Sequence, residues 1–167
     1  QGLISQDYLD SLSVAKDTKR MRGYLSQFPQ NSPPSRSAPV QSSDGEKRSF
    51  MLAVRDDAVL GFCCFSAAPN NADRVERATP GGAMVGRLHS LYIDPGALGQ
   101  GIGHTLMSHT LSTFAAWGCE RANLWVLEGN SRAISFYERQ GWRCTGATKV
   151  DQSFGPCLVE HEMAVQL

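Results

Sequence analysis

The stretch from Leu91 to Tyr137 constrains this chain's architecture more tightly than any other. An apolar run, Leu91-Tyr92-Ile93, ends at Asp94-Pro95 and passes into a turn holding Gly99, Gly101 and Gly103. Ile102, Leu106, Met107, Leu111 and Phe114 then recur at helical spacing, and Gly118 stops that helix. A second apolar run, Arg121 to Leu127, leads to Asn130, a good N-cap for a helix running to Gln140 with Gly141 just past its end. A strand, a nest of backbone N–H groups and a helix N-terminus together make an anion site suited to a pyrophosphate. The tyrosine at 137 arrives on the next helix, where it can meet whatever that pyrophosphate belongs to.

A glycine-rich turn ahead of a helix also occurs in three settings that compete with such a pyrophosphate site. A dinucleotide-binding fingerprint needs G-x-G-x-x-G, but the last position falls on His104 and the turn before it is too long. A Walker loop ends in Gly-Lys-Ser/Thr, and Gly103-His104-Thr105 has no lysine. The third is a plain, tight strand-to-helix turn with no ligand, which the turn alone does not exclude.

The remaining segments give a mixed order. Residues 5–28 read as helical, with Tyr8, Leu9, Leu12, Val14, Met21, Leu25 and Phe28 on an amphipathic face and Ser13 as an internal cap. Pro, Ser, Asn and Gln dominate Pro29 to Asp44, so residues 29–48 read as a connecting loop. Ser49–Arg55 and Ala58–Ser66 form a hairpin pattern around Asp56-Asp57. Pro69 to Gly82, with Asp73, Arg74, Glu76 and Arg77, is a polar loop: a solvated connection, or a lid that touches substrate. Met84–Ile93, Trp142–Val150 and Cys157–Val165 are the other strands, and no internal repeat is visible. Helices, an antiparallel hairpin and then strand-helix-strand-helix-strand make an α/β or mixed α+β domain.

Composition narrows the function classes. A chain of 167 residues is one domain by size and can bury a real core. Sixteen basic residues balance 16 acidic ones, without a basic stripe, so nucleic acid is a poor partner. Five cysteines (Cys63, Cys64, Cys119, Cys144 and Cys157) lack paired metal spacing and fit reduced thiols, mostly as small core residues. Cys63 and Cys64 are adjacent and face opposite sides of a strand. No stretch reaches membrane-spanning length, and Gln1 to Asp7 lacks the order of a signal peptide, so a soluble cytoplasmic protein with no membrane partner is expected.

These segments together resemble the GNAT superfamily of N-acetyltransferases. That family carries Q/R-x-x-G-x-G/A after a strand, then N-x-x-A-x-x-F-Y-x-x-x-G-F. Leu98-Gly99-Gln100-Gly101-Ile102-Gly103 matches the first pattern except at its opening position, where Leu98 stands. Asn130, Ala133, Phe136, Tyr137 and Gly141 match the second, with Trp142 in the place of phenylalanine. The resemblance is most specific over residues 88–142 and extends from about Ser49 to the C-terminus. It implies a single GNAT-like domain over 1–167: a central mixed sheet flanked by helices, with acetyl-CoA at the splay between the fourth and fifth strands. It also implies that the family's opening strand and helix are absent or abbreviated here.

Carried over by position, the resemblance assigns Leu91, Tyr92 and Ile93 to the pantetheine arm through their backbone groups. Gly99, Gln100, Gly101, Ile102, Gly103 and His104 cradle the pyrophosphate, and Asn130 both caps its helix and touches the cofactor arm. Tyr137 is the acid that protonates the departing thiolate; packing on Ala133 is its plainer alternative. Positions that hold a glutamate base in the family carry Arg87 and Trp125 here. His89 lies on the fourth strand, titrates in the useful range, and is the candidate base. Glu160, His161 and Glu162 stand in reserve, and Glu128 reads as solvated. The implied reaction moves acetyl from acetyl-CoA to a primary amine by direct attack, without a metal or a covalent enzyme intermediate. Its partners are acetyl-CoA and an amine acceptor, with room for a homodimer. Zero net charge argues against strongly cationic acceptors such as polyamines or histones. The alternatives are an acyl-CoA-binding sensor that kept the donor site and, more remotely, a nucleotide-binding protein.

Overall fold

Two aspartates set the first hairpin. Asp56 (φ 48°) and Asp57 (φ 64°) are both left-handed, the pattern of a type I′ turn whose twist matches the flanking strands. Asp tolerates this region better than most side chains because its carboxylate bonds locally. The computed structural model describes residues 40–41, 46–69, 84–151 and 158–167. The helical reading of 5–28, the cap at Ser13 and the polar loop beyond Pro69 lie outside the described residues.

The chain forms two compact units. The first holds the described residues up to Leu124 together with Ala164–Leu167. Its strands are β1 (Val40–Gln41), β2 (Lys47–Arg55), β3 (Ala58–Pro69), β4 (Met84–Ile93) and most of β5 (Cys119–Leu127), in that order across the sheet. β1 to β4 pair antiparallel, whereas β5 runs parallel to β4 after the crossover helix α1 (Ile102–Ala116), so the sheet is mixed. A mixed α+β fold is what the sequence pattern implies.

Two boundaries in the expected loop at 29–48 are corrected. β1 lies inside it, pairing Val40 with Arg48 and Gln41 with Lys47, and β2 starts at Lys47 rather than Ser49. A two-residue edge strand is held by main-chain bonds to its neighbour, so Pro/Ser-rich side-chain composition does not reveal it.

α1 buries Ile102, Leu106, Met107, Thr110 and Phe114 against the sheet. Thr110, not the expected Leu111, takes the central position. Its hydroxyl donates to the Leu106 carbonyl at 2.9 Å and lies 3.5 Å from Cys63 Sγ, so the polar group is satisfied in place. Phe114 meets Phe65 edge-on (centroids 5.3 Å apart), and Trp117 closes the cluster 5.5 Å from Phe65. Gly86 on β4 makes room for this ring: a Cβ there would sit 2.7 Å from Phe114. Phe114 is fully buried and cannot retreat. Gly86→Ala is therefore expected to destabilise the protein by about 1–3 kcal/mol, read from the midpoint of urea unfolding at constant slope.

The second unit holds the described residues from Trp125 to Met163. It contains the end of β5, helix α2 (Ser131–Arg139), β6 (Arg143–Asp151) and most of β7 (Leu158–Gln166), with β7 lying between β5 and β6. Glu128 N–H donates to the Val159 carbonyl at 2.8 Å, tying the β5 end to β7. Trp142, fully buried, packs 6.2 Å from the Tyr137 ring. Among the described residues, no helix is long and apolar enough to cross a membrane.

Candidate functional site

β4 changes partners half-way along its length. Its parallel ladder with β5 runs from Met84↔Cys119 to Leu88↔Leu124 and ends there. The antiparallel ladder with β3 continues to Gly61↔Ile93, but its register slips between Phe65↔Leu88 and Cys64↔Ser90, leaving His89 as an extra residue. A β-bulge of this kind bends the strand and re-aims a side chain. Leu91, Tyr92 and Ile93, the residues assigned to the pantetheine arm, follow the bulge and stay bonded to β3. Tyr92 is 63% exposed and leans on Phe62, with ring centroids 5.2 Å apart.

Past Ile93 the chain is organised for close backbone approach. Asp94 caps a single 3-10 turn (Pro95–Ala97), its carboxylate accepting from Gly96 N–H at 2.8 Å. Gly99 (φ 77°) and Gly101 (φ 80°) are both left-handed, a conformation that costs most residues bearing a Cβ about 1–2 kcal/mol. A Cβ at either glycine would meet no protein atom within 4 Å, so the backbone there borders open space rather than packed protein. Gly101 is the N-cap of α1, and no side chain caps that helix. The first-turn N–H groups of Ile102, Gly103 and His104 thus lie at the positive end of a 15-residue helix, with no acidic side chain in the turn.

The Gln100 side chain turns back onto the loop, donating to the Gly96 carbonyl at 3.2 Å and accepting from Arg55 Nη1 at 2.9 Å. Arg55 closes the β2 end of the hairpin and brings a permanent cation to the glycine turn. Nothing in the linear sequence signals this contact, because it joins residues 45 apart.

In the second unit Asn130 caps α2, its Oδ1 accepting from Ala133 N–H at 3.2 Å, as expected. Tyr137 lies seven residues on, two helical turns along the same face. Its ring stands against Phe136 (5.5 Å) and Trp142 (6.2 Å). The reserve bases are engaged within this unit. Glu160 Oε2 lies 2.8 Å from Lys149 Nζ, Glu162 accepts from the Thr145 hydroxyl at 2.8 Å, and His161 faces Glu128 at 3.5 Å. Lys149 also sits over the Trp125 ring, 4.7 Å from its centroid.

His89, in the first unit, is exposed, and Ser66 Oγ lies 2.8 Å from its Nε2. Partial burial of the ring, then Arg87 and Arg48, push its pKa below the ordinary histidine value, with Glu46 opposing. Arg87 Nε reaches Asn123 Oδ1 at 3.4 Å. Burial pushes the Cys119 thiol up to about 11 and raises that of Cys63 as well, which disfavours the thiolate at both. Among the described residues, no group of three His, Cys, Asp or Glu side chains could hold a metal ion.

The model of the acetyltransferase (GNAT) family matches residues 12–142. The chain belongs to the GNAT family. Among curated relatives, it is 39% identical over 64 residues to the peptidyl-lysine N-acetyltransferase YjaB of Salmonella typhimurium, covering 38% of this chain and 41% of that protein. It is 38% identical over 60 residues to a mycothiol acetyltransferase of Beutenbergia cavernae, covering 36% of this chain and 20% of that one. The chain thus spans less than half the length of either relative. Two solved structures share this GNAT fold. A ribosomal-protein-alanine N-acetyltransferase from Brucella melitensis superposes with a TM-score of 0.59 at 21% identity, covering 95% of this chain and 82% of that one. Arabidopsis thaliana NAA60 in complex with acetyl-CoA gives 0.61 at 14% identity, covering 91% of this chain and 95% of that one.

Proposed function

We propose that this GNAT protein is an N-acetyltransferase that moves acetyl from acetyl-CoA to a primary amine of a small molecule or protein by direct attack. The observation that carries it is the pair of left-handed glycines, Gly99 and Gly101, opening onto space at the uncapped start of α1. A diphosphate is the ligand such a cradle suits, and Arg55 adds positive charge beside it. The end of β4 supplies backbone groups for the pantetheine arm, and Asn130 contacts that arm. The amine nitrogen attacks the thioester carbonyl carbon, the C–S bond breaks, and the Tyr137 hydroxyl protonates the leaving thiolate. His89, held neutral by its surroundings, takes the proton the amine must lose. High thiol pKa values at Cys63 and Cys119 disfavour an acyl-cysteine route through either residue. The relative named for peptidyl-lysine supports an amine acceptor without selecting one.

Calorimetry with acetyl-CoA on the whole chain is the first test. Micromolar binding is expected, lost about tenfold or more in Gly101→Val, where a β-branched residue is forced to φ 80°. No heat of binding in folded protein would overturn the proposal. Binding without thiol release across a panel of amines would make the chain a sensor of acyl-CoA instead.

A further inference from the structure

The bulged histidine has a buried partner. Ser66, on β3, is 5% exposed, and its Oγ lies 2.8 Å from His89 Nε2. A neutral imidazole has one N–H and one lone pair, and the nitrogen that bonds to a neighbour decides which is which. We propose that Ser66 is the positioning residue of the acetyl transfer: its oxygen accepts Nε2–H of His89 and so fixes the lone pair on Nδ1, where the acceptor amine delivers its proton. The inference rests on the acetyltransferase reading of the site and on His89 as its base.

The chemistry favours this tautomer. If the serine instead donated to Nε2, Nδ1 would carry the hydrogen, and no lone pair would remain unless the buried bond broke. With Nε2–H pointing at Ser66, proton transfer to Nδ1 leaves an imidazolium whose Nε2–H still rests on the serine oxygen. The exposed ring can then release the proton to solvent. The charged groups around His89 are Arg87 on its own strand, Arg48 on β2 and Glu46 just before it. Glu46 is itself bonded by Arg48, at 2.9 Å to Nε and 2.6 Å to Nη2. Partial burial of the ring, with two guanidiniums set against one bonded carboxylate, favours the neutral imidazole, so its tautomer is what matters. The bulge provides the geometry: it puts His89 out of register with the ladder, within reach of a hydroxyl that pairs opposite Arg87.

Ring-nitrogen NMR of the ¹⁵N-labelled whole chain reads the tautomer without any acceptor, with the His89→Asn spectrum identifying the signals. The Nε2–H form should dominate in the wild type and in Ser66→Thr, and give way to a mixture in Ser66→Ala. A dominant Nδ1–H form in the wild type, or an unchanged ratio in Ser66→Ala, would overturn the proposal. With an amine that turns over, Ser66→Ala should lower kcat about tenfold, leave the acetyl-CoA KM unchanged, and be rescued by Ser66→Thr. Failure of acetyl-CoA to bind would defeat the acetyltransferase reading while the spectrum still reports whether Ser66 sets the tautomer.

Discussion

Tyr137→Phe is expected to lower turnover about 100-fold or more, within the range that a lost general acid removes, while acetyl-CoA binds as before. The substitution deletes one oxygen and keeps the ring that packs against Phe136 and Trp142. The segment is fixed at both ends: Asn130 caps the start of α2, and Trp142 N–H donates to the Tyr137 carbonyl at 3.1 Å. Neither contact involves the phenol oxygen, so α2 should hold its shape in the variant. A residue that acts only as the thiolate departs contributes to the transition state and not to the bound ground state. kcat and kcat/KM should then fall together. Thiol release measured alongside calorimetry makes the distinction. Equal turnover in wild type and variant would remove Tyr137 from the chemistry, and a parallel loss of acetyl-CoA affinity would mark it as a binding residue.

Much of this was legible in the residues, and the losses have physical causes. The glycine turn, the Asn130 cap and the hairpin aspartates are local: each is dictated by a backbone conformation that few side chains adopt, so sequence reports it directly. The end of Met84–Ile93 is readable because Asp94-Pro95 stops the strand chemically. The beginnings of β2 and β5 fell earlier than expected, at Lys47 and Cys119, because polar residues at a strand's start are recruited by ladder partners rather than by their own pattern. Thr110 in place of Leu111 is a similar lesson: a threonine that bonds its own helix can be buried where periodicity favours leucine. The bulge at His89, its bond to Ser66, and the reach of Arg55 to Gln100 depend on pairing between distant strands and turns. No linear motif encodes them. His89 itself was identifiable as a titratable strand residue, but not the partner that gives it a defined tautomer.

Phe114→Ala should cost about 3–5 kcal/mol of stability. The ring is fully buried, edge-on to Phe65 at 5.3 Å and 6.3 Å from Trp117, and it rests on the bare backbone of Gly86. Truncation removes those contacts and leaves a cavity that the sheet cannot collapse into, because β4 is paired on both sides at Gly86, with Ala67 and Ala122. For a chain of this size the loss corresponds to a fall in Tm on the order of 10 °C. Leu111→Ala, at a half-buried position on the same helix, should cost distinctly less. Phe114 lies three turns beyond the glycine cradle, so the two effects separate. Saturating acetyl-CoA should raise the Tm of the variant by as much as it raises the wild type, because a ligand stabilises in proportion to its affinity for the folded state. A variant that lost the ligand-dependent rise as well would show that α1 must be held at Phe114 for its N-terminus to bind the diphosphate.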